Sequence, residues 1–431
     1  MKNGLYWFEH DLRISDNPAL TQLARSVDNL VCVYCFNTAD IDDTYFSHHP
    51  LGPHRYRFLH EAVDELRTAL AEYNVELVVL QGEPVQVISE FITQNEVSHV
   101  GKHYHTGYRE RERLEAVKAK HGTVKFSEAN AYTLYNLADL PMSLADLPDV
   151  FTPFRKKVEK QATPRKPISA PGFLPATADE KKKAYQALHA ANMALLPPVT
   201  QASDDNVAQR LVGGEKVAQA QMEYYSFTSN ALAEYKVTRN GLDGWDFSSK
   251  LSAWLATGCI SPRQVLAGIT RYEQDVVAND STYWLFFELL WREFFQWHAL
   301  KAGYELYVYA GVQQQAPYNK HVKKVHDQWV NGTTPYPIIN ACMNQLRETG
   351  FMSNRGRQLV ASCYVHELGQ DWRYGAAYFQ SMLVDYDPAS NYGNWQYLAG
   401  VGCDPRGHRQ FNLQKQTDTY DPKGEFIAQW T

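Results

Sequence analysis

With 431 residues, 44% of them hydrophobic and 21% charged, the chain is long enough for two domains and a sizeable core. A net charge of −6 excludes a polycation as a whole, so any nucleic-acid contact needs a local basic patch. The start, MKNGLYWFEHDLR, has no signal-peptide apolar region, and no apolar run reaches the roughly 18 residues of a membrane span, so a reduced, cytoplasmic protein without membrane contact is expected.

The first 130 residues alternate apolar runs with amphipathic ones. GLYWF (4–8) reads as a strand, followed by a helix start at SDNPAL, with Asp16 or Asn17 as N-cap and Pro18 at its first position. LVCVYCF (30–36) is a second strand. Its Cys32 and Cys35 are three apart and so on opposite faces, which argues against a redox or zinc pair. A helix over about 54–73, a strand at VELVVLQG, a helix over about 83–95, a strand at VSHVGKHY, a helix over about 107–121 and a strand at TVKFSEA complete the series. Continuous apolar strands alternating with helices predict an α/β domain with a doubly wound parallel sheet. No GxGxxG follows any strand, so the dinucleotide fingerprint is absent. The alternating charges of Tyr108 to Glu115 read as a solvated helix face.

Residues 131–220 are rich in proline and weak in periodicity, and read as an interdomain connector. Its basic residues, Arg155 to Lys166, are either a solvated face or a phosphate contact. Residues 221–431 are helical throughout. Ser248, Ser249, Lys250, Leu251 and Ser252 form a polar loop running into a short helix that ends at Gly258, and Ser261 with Pro262 starts the next. Such a loop suits a phosphate, or is simply a serine-rich cap. The aromatic helix 282–300 carries Glu288, Trp291 and Arg292. Either Glu288 and Arg292 are an exposed i,i+4 pair, or all three line a pocket for a flat ligand.

The stretch Gly350 to Ala399 then offers a helix over 354–368 with Asn354, Arg357 and Gln358 on one face, followed by Asp385, Asp387, Asn391, Asn394 and Trp395. This polar concentration predicts half of a large cofactor pocket. A metal at the DxD lacks an evident third ligand, so no metal site is expected, and acidic turn residues before Pro388 are the plain alternative.

Five motifs, in order, carry a resemblance: WFEHDLRISDNPAL, YKVTRNGLDGWDFSSKLSAWLATGCISPRQV, ELLWREFFQWHALKAG, TGFMSNRGRQLVASCYVHELGQDWRYGA and DYDPASNYGNWQYLAGVGCDPRGHRQFN. The chain resembles the photolyase/cryptochrome family along nearly its whole length, and most nearly the DASH-type cryptochromes. The resemblance implies an α/β antenna domain and an all-helical domain holding FAD without a covalent bond. Carried over by motif, Tyr235, Ser248, Ser249, Lys250, Leu251 and Ser252 would hold the FAD phosphates and ribose. Glu288 and Arg292 would form the pocket wall. Asn354, Arg357, Asp385 and Asp387 would surround the flavin and adenine, with Asn391 facing flavin N5. Trp395 and Trp372 match the proximal and middle members of an electron-transfer chain. The distal tryptophan is missing, and Tyr318 is the nearest substitute.

The implied reaction is light-driven repair of cyclobutane pyrimidine dimers. Glu288 would bond the pyrimidine edge, Trp291 would stack on the dimer, and Arg239 and Arg355 would reach phosphates. Gln358 and Tyr397 stand where duplex photolyases carry Met and Trp, a difference shared by DASH proteins, which prefer single-stranded DNA. Glu110 matches the acid that holds a methenyltetrahydrofolate antenna, with a deazaflavin or an empty site as alternatives. Relatives carry basic residues where this chain has Glu9 and His10. A monomer without a long signalling tail is expected, and the rival function is a blue-light photoreceptor with little repair activity.

Overall fold

Five short strands pair in parallel in the order β3-β2-β1-β4-β5, with β1 (Asn3–Phe8) at the centre, β2 (Asn29–Asn37) and β3 (Leu77–Gly82) on one side, and β4 (His99–His103) and β5 (Lys125–Ala129) on the other. The computed structural model describes residues 1–202, 205–403 and 409–431, so residues 404–408 of the last sequence motif lie outside the described residues. Registers such as Leu5 opposite both Val31 and Val100 put like residues on one face. Leu5, Trp7, Val31 and Val33 build a core with Ile88 and Phe91, whereas Tyr6, Phe8, Cys32 and Tyr34 face a second core that runs without a break into the helical domain. Cys32 and Cys35 therefore point to opposite sides, as the period of two requires.

The helices fall where caps and periodicity put them: Pro18–Ala24, Pro53–Ala71, Pro84–Gln94 and Tyr108–Lys120. Asn17 caps the first of them through Leu20 N–H, which leaves Asp16, with φ of 48°, to turn elsewhere. The proline-rich stretch read as an interdomain connector carries two substantial helices. Phe151–Gln161 reaches the helical domain, and Asp179–Met193 lies along the edge strand β3. There His189 Nδ1 and Asn192 Oδ1 accept from Val79 and Gln81 N–H, at 3.2 and 2.9 Å, which covers an edge that would otherwise be open to pairing.

The charge run on Tyr108–Lys120 corrects the expected solvated face. Glu110 is buried, Arg113 is partly buried against Glu9, and the Arg109 guanidinium stacks 4.7 Å from the Tyr45 ring and 5.0 Å from Tyr307. Among the described residues no helix is long and apolar enough to cross a membrane.

The domains meet at the loop after β1. Arg13 donates to Gly258 O (2.7 Å), and Leu12 N–H to Thr257 O (3.2 Å). Asp16 accepts from Ser261 Oγ (2.6 Å) and Arg263 Nε (3.1 Å). Asp16, Arg13 and Ser261 are fully buried. Gly258 has φ of 74°, and a Cβ there would lie 2.0 Å from His10 O. Gly258→Ala is therefore expected to destabilise the fold by at least the 1–3 kcal/mol or so of a strained left-handed residue, with the backbone overlap added. An unchanged thermal unfolding midpoint would contradict this reading of the joint.

Candidate functional site

One cavity of about 490 Å³ opens in the helical domain and collects most of the residues singled out from the sequence. That volume suits a large cofactor or ligand. Its first wall is the loop after Tyr235, with Ser248, Ser249, Lys250, Leu251 and Ser252 at the lining. The helix Ser252–Thr257 that follows is only six residues long, so the hydroxyls, more than its dipole, define this wall. Lys250 is buried with φ of 56°, and its Nζ donates to Gly244 O (2.9 Å), Trp245 O (3.0 Å) and Ser248 Oγ (3.0 Å). Burial pushes its pKa down to about 8, against Asp243 and Asp246, which raise it. The ammonium thus braces the loop rather than standing free in the cavity.

The second wall is the helix Asp280–Ala302, started by an Asn279 capping box. Its Glu288 and Arg292 do not pair with each other as the i,i+4 spacing suggested. Glu288 Oε1 accepts from Arg239 Nη1 (2.5 Å) and Trp284 Nε1 (3.1 Å), while Arg292 Nη1 donates to Tyr132 O (2.6 Å) and its guanidinium lies 4.3 Å from the Tyr132 ring. Burial raises the Glu288 pKa, opposed by Arg239 and Trp284. Trp291 lines the cavity, and Phe151 from the connector stacks on it at 3.7 Å and 11°. One indole face is therefore already taken.

The third wall is the helix Asn354–Ser362, capped by Ser353 through Gly356 N–H, together with the segment after the helix Trp372–Met382. Asn354 is exposed at the mouth, with Arg355 and Gln358 beside it at the lining. Arg357 Nη2 bonds Asp385 Oδ2 at 2.8 Å, and its Nε donates to Met352 O. Asp385 Oδ1 is buried with no partner. Asp387 behaves differently, being the N-cap of the helix Pro388–Ala399 through Ser390 N–H (2.6 Å). It also accepts from Tyr132 Oη (2.5 Å) and Gln296 Nε2 (2.9 Å). Burial alone would raise its pKa, but Arg292 and the bonds from Tyr132 and Ser390 outweigh that and keep it lowered. Asn391 is buried one step beyond the lining residue Ser390, its Nδ2 donating to Ala376 O at 3.0 Å.

Behind this wall Trp395 is buried, with Nε1 unpartnered, and packs on Gly375, where any Cβ would lie 2.3 Å from the indole. Gly375 sits on the turn after Trp372, whose own Nε1 donates to Tyr309 O (3.1 Å). Tyr318, the nearest substitute for a distal tryptophan, is fully exposed. Tyr397 closes the cavity beside Trp291, with ring centroids 6.2 Å apart, and the Arg409 guanidinium lies 4.3 Å from its ring. Arg355 donates to Asn240 Oδ1 (3.1 Å). Arg239, paired with Glu288, lines this mouth together with Arg355 and Arg409.

A second cluster lies at the reversal of strand order, beyond the C-terminal ends of β1 and β4. Glu110 approaches His10 Nε2 (3.5 Å) and His105 Nδ1 (3.9 Å), and its Oε2 is buried without a hydrogen-bond partner. Burial would raise its pKa, but His10, His105 and Arg113 hold it well below the usual range. Glu9 bridges Lys102 and Arg113, both at 2.7 Å, so this acid is neutralised from within its own domain. Tyr132 joins the two regions, its ring 4.4 Å from His105 and its hydroxyl on Asp387. Sequence reasoning missed Tyr132, Gln296 and Phe151. Tyr132 and Phe151 sit in no motif and act only because the connector docks on the helical domain, whereas Gln296 lies inside the motif of the aromatic helix, where nothing local marks Asp387 as its partner.

The donor set fits FAD. Serine hydroxyls and the Arg357 guanidinium suit phosphates and polar ring edges, Asp385 keeps a buried acceptor free, and Leu255, Leu289 and Phe295 supply apolar surface for a flat ring. The family described as FAD binding domain of DNA photolyase matches residues 284–431, and that described as DNA photolyase matches residues 4–172. Proteins described as Cryptochrome DASH from Idiomarina loihiensis and Vibrio parahaemolyticus are 44% and 45% identical, over 99% and 100% of this chain and 92% and 93% of their own. The crystal structure of a Synechocystis cryptochrome matches with a TM-score of 0.92 at 36% identity, over 100% of this chain and 88% of that one. The five-stranded parallel domain, the helical FAD-binding domain and this full-length similarity together make the chain a member of the photolyase/cryptochrome family, among the DASH cryptochromes.

Proposed function

We propose that the protein is a deoxyribodipyrimidine photolyase that repairs cyclobutane pyrimidine dimers, mainly in single-stranded DNA. The observation that carries this reading is a single cavity lined by FAD-suited residues and, toward an arginine-lined mouth, by Glu288, Trp291, Gln358 and Tyr397. The chemistry supplied by bound, reduced and light-excited FAD is transfer of one electron to the dimer and its return after the dimer splits.

The protein's own residues bind, orient and reload. Ser248, Ser249 and Ser252, with Tyr235 and Leu251 alongside, hold the phosphates and ribose, and Lys250 stiffens their loop. Arg357, Asn354 and Asp385 contact the flavin and adenine, and Asn391 is the amide assigned to N5. Asp387 and Arg292 fix the wall through Tyr132. Trp395 and Trp372 carry electrons in from the protein. Glu288, desolvated and tied to Arg239, presents its carboxyl to the pyrimidine edge, while Arg239 and Arg355 take phosphates. The free oxygen of Glu110 fits a donor-edged antenna, which we take to be 5,10-methenyltetrahydrofolate. We read the protein as a cytoplasmic monomer.

Substrate choice follows from stacking. Extruding a lesion from a duplex costs a few kcal/mol or so, and each base–aromatic stack returns about 1–3 kcal/mol. Trp291 has one face covered by Phe151, and Gln358 and Tyr397 offer a more polar, smaller platform than Met and Trp. Single strands need no extrusion and remain accessible. The same polar pocket favours the alternative reading, a blue-light photoreceptor with little repair activity.

Illumination of the flavin-loaded protein with lesion-bearing oligonucleotides is expected to clear dimers faster from single strands than from duplexes; equal rates on both would contradict the proposal. The double variant Gln358→Met with Tyr397→Trp is expected to tighten duplex-lesion binding about 5- to 150-fold, the equivalent of one restored stack. Trp395→Phe is expected to bring flavin photoreduction down to near background while flavin binding persists, and an unchanged photoreduction rate would remove Trp395 from the electron path.

A further inference from the structure

Trp395 touches more than the helix that carries Trp372. Its ring lies 5.9 Å from that of Tyr364 and 6.2 Å from that of Trp329, and Trp329 and Tyr364 are 4.5 Å apart. All three are buried. Tyr364 stands in the widened last turn after the helix Asn354–Ser362, where Leu368 N–H bonds Cys363 O, five residues back. The phenol is aimed away from the cavity. Its Oη lies 2.6 Å from His326 Nδ1, and His326 Nε2 lies 2.8 Å from His48 Nε2. His48 belongs to the loop between β2 and the helix Pro53–Ala71, is half-buried, and is flanked by exposed Ser47 and His49. An aromatic contact with Trp395 therefore continues as an unbroken line of hydrogen bonds to the surface.

We propose that Tyr364 is a terminal electron donor for flavin photoreduction and that its proton leaves through His326 to His48. This inference rests on the FAD reading of the cavity. Light-excited oxidised flavin is the oxidant, and Trp395 gives up one electron to it. An electron from Tyr364, directly or through Trp329, returns Trp395 to its reduced form. As that electron leaves, the phenolic O–H bond breaks and an N–H bond forms at His326 Nδ1. The proton already on His326 Nε2 passes to His48 Nε2, so a neutral tyrosyl radical and one protonated imidazole remain. Atoms and charge balance with no further reactant.

The ground-state groups are poised for this. A phenol bonded to a histidine lone pair donates, so His326 carries its own proton on Nε2 and donates in turn to His48. Burial lowers the His326 pKa to about 3, with His48, His321 and Lys323 adding and Asp327 opposing. Burial likewise takes His48 down to about 4, again against Asp327, with His49 and His321 adding. Both imidazoles are therefore neutral and able to accept at neutral pH. Burial raises the Tyr364 pKa, with Asp371 and Tyr374 adding, so the phenol keeps its proton until oxidised. A phenol oxidised without a base would have to retain a positive charge in an apolar core, and the histidine pair removes that cost.

The test uses the flavin-loaded protein. Frozen after illumination of the oxidised form, the wild type is expected to give the electron paramagnetic resonance spectrum of a neutral tyrosyl radical, with a solvent deuterium isotope effect on its formation. Tyr364→Phe should lose this signal, and Trp372→Phe should retain it. His326→Asn keeps a hydrogen-bond acceptor near the phenol but offers a far weaker base, and should lose the isotope-sensitive step while folding normally. In the dark, the wild type should show a low-field proton resonance from the Tyr364–His326 bond that Tyr364→Phe removes. A tyrosyl signal that survives Tyr364→Phe, or a tryptophan radical alone in the wild type, would overturn the proposal and leave the FAD reading standing. A purified protein without a flavin absorption band would overturn both.

Discussion

Asp16 is fully buried where the two domains meet, and Ser261 and Arg263 of the helical domain bond it there. Removing one partner of a buried ion pair costs about 3–5 kcal/mol, because the other charge is left without solvent or counter-ion. The joint therefore specifies one docking of the two domains and penalises the rest. Arg13 works beside it, tied to the carbonyls of Gly258, Asp16 and Ala131. With Gly258 and Thr257 held, the short helix from Ser252 is fixed, and with it the serine loop that forms one cavity wall.

A second constraint grows from the first. Once the domains are docked, Tyr132 lies between His105 and Asp387, and Thr106 reaches Gln296, which also bonds Asp387. The Glu110 cluster and the cavity thus share one hydrogen-bonded partition. Environment separates two residues of the same type here. Asp387 is saturated by four donating contacts and acts as a cap and a brace, whereas Asp385, two residues earlier, keeps one buried oxygen free beside Arg357. A buried acceptor without a donor is costly unless something supplies one. The free oxygen is the most direct sign that this wall faces a ligand.

Aromatic residues make up 13% of the chain, and many surround Trp395. Phe379, Trp329 and Tyr364 contact its ring, and Gly375 leaves room for its far edge. Dense packing of oxidisable rings with few charges is a good medium for moving electrons and a poor one for leaving a proton behind. The line from Tyr364 through His326 to His48 supplies the proton's way out, and it crosses from the helical domain to a loop of the sheet domain. Domain docking thereby shapes the redox surroundings as well as the cavity.

Local signals in the sequence were sufficient for the strands, the capped helix start at Ser261 and the left-handed stop at Gly258, and they narrowed the first cap to Asp16 or Asn17, of which the structure uses Asn17. Each depends on neighbours within a few residues, where period and capping chemistry decide the outcome. The motif residues were legible as a cavity lining for the same reason, since the loop 248–252, the helix from Asn354 and the acidic turn are short, local units. Pairings across the fold were not. Glu288 chose Arg239 over the helical neighbour Arg292, Glu110 turned inward from a run that reads as solvated, and Phe151 covered a face of Trp291. Tyr132, Tyr364, His326 and His48 sit in no periodic pattern that marks their partners. Which of two available charges a carboxylate meets, and which base a buried phenol faces, depends on how whole elements dock. That is decided by the packing of the two cores and the buried charges between them, and by nothing within a few residues along the chain.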